Sequence, residues 1–272
     1  MSNLGRRVVT ALILVPLFLA ALFWLSGWAF AVFLGSILLL AVWEWGGLCE
    51  LDPPRFGLWL LSCGVLATGL YLLQWLWWTA LFGVVFWLLA IVAVIVFPRG
   101  RRVWEARSAR VIAGWLALIP AWAALLVLQG MPQGPWLVLW TMLMVWGSDI
   151  GGYFIGRAWG RHKLAAAVSP GKTIEGLLGG VGVALLLSLV MAAVAGLPVS
   201  TLLPLVVITL LVVAAAVFGD LFESLVKRVA GVKDSGSLLP GHGGVLDRID
   251  AVLAAAPVAV LLLHRFGAEL LT

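Results

Sequence analysis

Between Ser224 and Asp250 the chain reads SLVKRVAGVKDSGSLLPGHGGVLDRID, placing four bases, three acids, one histidine and five glycines in one short segment. Over its 272 residues the same chain is 64% hydrophobic and only 11% charged. Charges concentrated in this way need water or a charged ligand, and their types suit one kind of chemistry. Carboxylates are hard oxygen donors for Mg2+, which keeps several waters and bridges to substrate phosphates. Lysine and arginine neutralise phosphate charge. Glycines let backbone N–H groups close on phosphate oxygens. The segment reads as a site for anionic phosphates and a divalent metal.

Asp220, Glu223, Ser224 and Lys227 lead into it. No helix breaker intervenes before Gly231, so the helix carrying residues 200–219 is expected to continue into water. Spacings of three, four and seven put all four residues on one face. Two readings stay open for that face: a solvated helix end with i,i+4 pairing, or a metal-ligating face beside a phosphate-binding base. Lys233-Asp234-Ser235-Gly236 and Pro240-Gly241-His242-Gly243-Gly244 then form a loop that no regular helix tolerates. Asp247 and Asp250 share a face at the start of the last helix, where an N-terminus favours anions. His242 reads as a hydrogen-bond donor to phosphate, because oxygen ligands are plentiful around it.

A second cluster runs Asp149-Ile150-Gly151-Gly152-Tyr153-Phe154, then Arg157, then Ser169-Pro170-Gly171-Lys172-Thr173-Ile174-Glu175-Gly176. Asp149 lies well inside an apolar stretch, where a charge costs about 2.5–3.5 kcal/mol on insertion scales. Such a residue points to a polar cavity. Gly171-Lys172-Thr173 looks like the end of a P-loop, but position 166 is Ala and the pattern GxxxxGK[ST] fails. Ser169-Pro170 fits a cap and first turn for the next helix, with Lys172 facing the same aqueous pocket. Gly179-Gly180 and Gly182 read as close helix packing. His162 is expected in an exposed loop and His264 at a helix end. Cys49 and Cys63 offer neither a disulfide framework nor metal-ligand spacing.

The elements that must position these residues are membrane helices. A span needs about 20 apolar residues, and nine stretches qualify: roughly 8–25, 28–48, 57–73, 76–97, 111–129, 135–155, 177–196, 200–219 and 250–266. An all-α polytopic membrane protein follows, because a spanning backbone must satisfy its own hydrogen bonds. With the N-terminus and Arg6-Arg7 in the cytoplasm, sixteen of seventeen bases fall on that side, as the positive-inside rule requires. The net charge of +5 suits anionic headgroups and does not argue for nucleic acid. Apolar sequence follows Arg6-Arg7 without a small-residue cleavage site, so a retained first helix is expected rather than a signal peptide. The loop at 98–110 reads as a positive-inside anchor. Residues 1–272 form one integral membrane domain, with 1–130 mainly scaffold and 131–272 carrying the site.

The spacing S-x-x-K-R-x4-K-D followed by P-G-H-G-G-x-x-D-R-x-D, met from Ser224 to Asp250, resembles the signature of phosphatidate cytidylyltransferases (CDP-diglyceride synthases). DIGGYFIGR and SPGKTIEG resemble companion motifs of that family, although Gly171 stands where some members carry a second lysine. The resemblance is strong over residues 140–250 and extends to the first half only as hydrophobic topology. It implies transfer of the cytidylyl group of CTP to phosphatidate, giving CDP-diacylglycerol and pyrophosphate, with Mg2+ as one ion or a two-metal pair. Carried onto this sequence, it implies Asp220, Asp247 and Asp250 for metal, and Lys227, Arg228, Lys233 and Arg248 to neutralise phosphates. Asp234 and His242 would orient those groups. Ser169, Lys172, Thr173, Ser224, Gly243, Gly244 and Asp149 would bind substrate. It further implies a bacterial inner (cytoplasmic) membrane, a site on the cytoplasmic side, lipid entering sideways, and a homodimer. Two rivals remain: a CTP-dependent kinase phosphorylating a polyprenol, and a transporter. A CDP-alcohol phosphatidyltransferase would need a DGxxAR segment, which is missing from the sequence.

Overall fold

The computed structural model describes residues 3–239 and 243–270, so the expectation for His242 lies outside the described residues. Its helices are α1 (Asn3–Trp24), α2 (Gly27–Leu48), α3 (Pro53–Leu72), α4 (Leu76–Val96), the short α5 (Arg101–Glu105), α6 (Arg107–Gly130), α7 (Gly134–Trp159), α8 (Ile174–Val194), α9 (Leu202–Val229) and α10 (Leu246–Leu270). Each of the nine apolar stretches falls on one long helix. Among the described residues, seven helices are long and apolar enough to cross a membrane: α2, α3, α4, α6, α7, α8 and α9, the last with the 3-10 turn Val199–Thr201 before it. The result is an all-α polytopic membrane fold. The breaks after α1 and α8 fall at Gly27 (φ +52°) and Gly196 (φ +68°), where glycine takes a left-handed turn without strain.

Two departures concern the segments next to the site. Ser169-Pro170 does not begin a helix. Residues 163–173 form an antiparallel hairpin, β1 (Lys163–Ala165) and β2 (Ser169–Thr173), paired Lys163 with Thr173 and Ala165 with Ser169. The cap belongs to Thr173, whose Oγ1 accepts from Gly176 N at 3.1 Å. Also, α7 runs to Trp159, one turn beyond the expected end, so Arg157 is helical.

Glycines decide where helices touch most closely. A Cβ on Gly151 would lie 2.7 Å from Gly179 O, one on Gly176 2.8 Å from Gly152 O, and one on Gly180 2.5 Å from Ser148 O. Backbone thus meets backbone along α7 and α8, as small residues permit in membranes. Gly182 departs from the packing expectation, because a Cβ there meets nothing within 4 Å. Trp140 Nε1 and Thr209 Oγ1 both donate to Ser188 Oγ at 2.9 Å, tying α7 and α9 to α8 inside the apolar core. At Gly219 of α9 a Cβ would lie 2.6 Å from Asp250 O, so the first turn of α10 presses against α9. On another side of α9, Phe222 is fully buried against Phe86, Trp87 and Trp104, with ring centroids 5.7, 5.6 and 5.0 Å away. This grip holds the charged last turns of α9 in place.

Candidate active site

At that end of the bundle a cavity of about 740 Å3 opens between α7, the hairpin, the start of α8, α9 and the start of α10. Its polar lining includes Asp149, Arg157, Ser169, Lys172, Thr173, Asp220, Lys227, Asp234, Asp247, Arg248 and Asp250. Leu177, Val213 and Val217 supply an apolar wall. The two motif clusters, separated by some fifty residues of sequence, therefore face one space. The hairpin carries Lys172 across to α9, where Nζ lies 2.5 Å from Asp220 Oδ2.

Lys227 is the hub of a second group. Its ammonium lies 2.5 Å from Glu223 Oε2 and donates to Asp247 Oδ1 at 2.6 Å. Glu223 is 1% exposed and is held by its ion pair with Lys227. Asp247 also accepts from Ser235 N at 3.0 Å and Gly244 N at 2.8 Å. Burial alone would raise its pKa, but the Lys227 bond and charge with these backbone donors hold the carboxyl below the usual range.

Asp250 is held differently. It is 9% exposed, and it accepts a hydrogen bond from the next backbone N–H, Ala251 N at 2.8 Å. Among the described residues neither Asp149 nor Asp250 has a basic partner, and neither Arg157 nor Arg248 is paired with an acid. Arg157 donates to Tyr153 Oη at 2.8 Å. Cations able to take phosphate and carboxylates able to take a cation thus stand in one cavity.

Five other predicted residues do not line it. Arg228 donates to Val168 O and Val232 O, both at 3.3 Å, and so ties α9 to the hairpin turn. Lys233 is exposed outside the cavity lining. Ser224 is buried and donates to Asp220 Oδ1 at 3.3 Å. Gly243 (φ +84°) and Gly244 let the loop close on its neighbours: a Cβ on Gly243 would lie 2.8 Å from Asp247 Oδ2.

Sequence reasoning missed Glu44. This α2 residue is 3% exposed and accepts from Leu246 N at 2.7 Å, Val245 N at 3.0 Å and Ser235 Oγ at 3.1 Å. A signal was available, since Glu44 is a lone acid in the run LLLAVWEWGG, as anomalous as Asp149. Arg110, read as part of an anchor loop, is likewise 2% exposed and donates to Leu48 O at 2.8 Å and Glu50 Oε2 at 3.1 Å.

No group of three or more His, Cys, Asp or Glu among the described residues is disposed as a ready metal cluster. The donor set nonetheless fits Mg2+. That ion takes one or two carboxylates and completes its shell with water and substrate phosphate. Asp250, buried with no base beside it, is a carboxylate that a cation would satisfy.

A model of the cytidylyltransferase family matches residues 5–266. The chain is 42% identical to phosphatidate cytidylyltransferase of Pseudomonas aeruginosa over 267 residues, 97% of this chain and 98% of that protein. It is 37% identical to the Haemophilus influenzae protein of the same name, covering 93% of this chain and 96% of the relative. The Brucella suis phosphatidate cytidylyltransferase is also 37% identical, over 98% of this chain and 94% of its own length. The resemblance seen in the two motifs thus extends along the whole sequence, first half included, and the chain belongs to the cytidylyltransferase family.

Proposed function

We propose that the protein transfers the cytidylyl group of CTP to phosphatidate, releasing pyrophosphate and leaving CDP-diacylglycerol in the membrane. The observation that carries this reading is the cavity itself, where a ring of charges adjoins the apolar wall of Leu177, Val213 and Val217 among membrane helices. A substrate with a phosphate head and acyl chains matches both surfaces. A polyprenol offers the apolar part without the second anion, and the relatives named above are phosphatidate cytidylyltransferases.

In this reaction a phosphatidate oxygen bonds to the α-phosphorus of CTP while the bond from that phosphorus to the pyrophosphate oxygen breaks. The nucleophile is already anionic near neutral pH, so no strong base is required. The task is to hold two polyanions in line and to stabilise the charge on the leaving group. Lys172, Arg157 and Arg248 would contact phosphates, while Lys227 offsets the negative charge of buried Glu223 and of Asp247. Asp220, Asp247 and Asp250 would hold Mg2+, which when bound lowers the charge of the triphosphate. Asp247 would release a protein donor to do so, whereas Asp250 needs no such exchange.

The same reading places the N-terminus and the cavity on the cytoplasmic side of the inner membrane, with nine spans. Sixteen of seventeen bases then lie on one side, which supports it. Incubation of purified protein with phosphatidate, Mg2+ and CTP labelled at either the α- or γ-phosphate tests the reaction. Label from the α position should appear in lipid with an equal amount of pyrophosphate; lipid label from the γ position would establish a kinase.

A further inference from the structure

We infer that Glu44 of α2 is a positioning residue for the transfer reaction, acting through Ser235 and the N-terminus of α10. The inference rests on the cytidylyl-transfer reading for its kinetic consequence, though not for its structural one.

Three observations meet at this carboxylate. First, it faces the start of α10: Oε2 takes Leu246 N at 2.7 Å and Oε1 takes Val245 N at 3.0 Å. The leading N–H groups of a helix have no partner within it, and an anion there also meets the positive end of the helix dipole. Glu44 therefore caps α10 from about two hundred residues away in sequence, and α10 carries Asp247 and Arg248 in its first turn and Asp250 directly after it. Second, Oε2 accepts from Ser235 Oγ at 3.1 Å, while Ser235 N donates to Asp247, which accepts from Lys227. A continuous chain of bonds thus runs from Glu44 to the ammonium at the cavity. Third, the loop is shaped around Glu44. A Cβ on Gly236 would lie 2.8 Å from its Cδ, and one on Gly244 2.6 Å from its Oε1. These two glycines, read in the sequence as phosphate contacts, give room to a buried acid.

A buried, nearly inaccessible carboxylate with three donors aligned on it is a fixed point. If it moved, Asp247 and Lys227 would lose their common register. Glutamine cannot reproduce the arrangement. Its oxygen can take one of the two backbone donors, while its NH2 group faces the other. Ser235 can rotate to accept from that NH2, so the loss falls mainly on the cap.

The test uses the full-length protein in phosphatidate mixed micelles. Wild type, Glu44→Gln, Ser235→Ala, the double variant and Glu50→Gln are compared for kcat, KM for CTP, thermal midpoint and amide exchange at 243–247. Glu44→Gln should lower kcat by about thirtyfold, ~2 kcal/mol of barrier, with KM for CTP within threefold and faster exchange at Val245 and Leu246. Ser235→Ala, which removes only the hydroxyl bond, should lower kcat about fivefold at an unchanged midpoint. The double variant should be slower than Glu44→Gln by up to the same fivefold, because glutamine keeps the Ser235 bond that alanine removes. Glu50→Gln, which touches Arg110 instead, should keep wild-type kcat.

Unchanged kcat and exchange in Glu44→Gln, or in Ser235→Ala if the former does not fold, would overturn the role. So would a loss of kcat that tracks only the folded fraction. If wild type moves no cytidylyl label into lipid, the functional reading fails, and the exchange rates at 243–247 still decide whether Glu44 holds the loop.

Discussion

Asp247 and Asp250 stand three residues apart on one helical turn and are held in opposite ways. Asp247 is surrounded by donors from Lys227, Ser235 and Gly244, while Asp250 is buried without a base. Asp250→Asn should therefore abolish turnover and leave the thermal midpoint in detergent unchanged or slightly raised. Asp247→Asn should abolish turnover and also cost about 2 kcal/mol of stability, since it weakens buried hydrogen bonds to a charge. Paired melting and activity curves separate the two. Lys172→Met should raise KM for CTP about tenfold, the worth of ~1.4 kcal/mol, with Lys172→Arg recovering part of it. At this scale Asp149, Lys172, Asp220 and Asp250 were legible, because charge is scarce in an apolar chain and each residue stood out. Glu44 was as conspicuous a charge, but no polar cluster beside it in its own helix tied it to a site. Its partners are set by tertiary approach, which spacing along one helix does not encode.

The elements that matter are the hairpin between α7 and α8 and the extension of α9. The extension was readable from Asp220 to Lys227, where helical spacing continues without a breaker. The hairpin was not: Ser169-Pro170 also matches a helix start, and pairing with Lys163–Ala165 settled the conformation. Where α7 and α8 touch, Gly180→Ala would place a methyl carbon 2.5 Å from Ser148 O, next to Asp149. Overpacking of this kind costs about 1–3 kcal/mol, so the variant should melt earlier and lose activity. Gly182→Ala points into open space and should be neutral or slightly stabilising, since helical glycine is worse than alanine by up to about 1 kcal/mol. Equal effects from the two would mean that α7 and α8 do not meet as described.

For the whole molecule, the membrane decides which end of the bundle can meet CTP. The apolar runs made the polytopic class readable, whereas the joining of both halves at Glu44 needed the folded chain. Arg102→Cys should react with a membrane-impermeant thiol reagent only from the cytoplasmic side, and Gln133→Cys, in the turn between α6 and α7, only from the other side. Reversed labelling would place the cavity where CTP is absent. The most direct measurement follows cytidine label from CTP into phosphatidate-derived lipid, with wild type and Asp250→Asn side by side and both shown to be folded. The account predicts one cytidylyl group in lipid per pyrophosphate released by wild type, and none above background in the variant. Full transfer by folded Asp250→Asn, or lipid labelled only from the γ-phosphate, would contradict it.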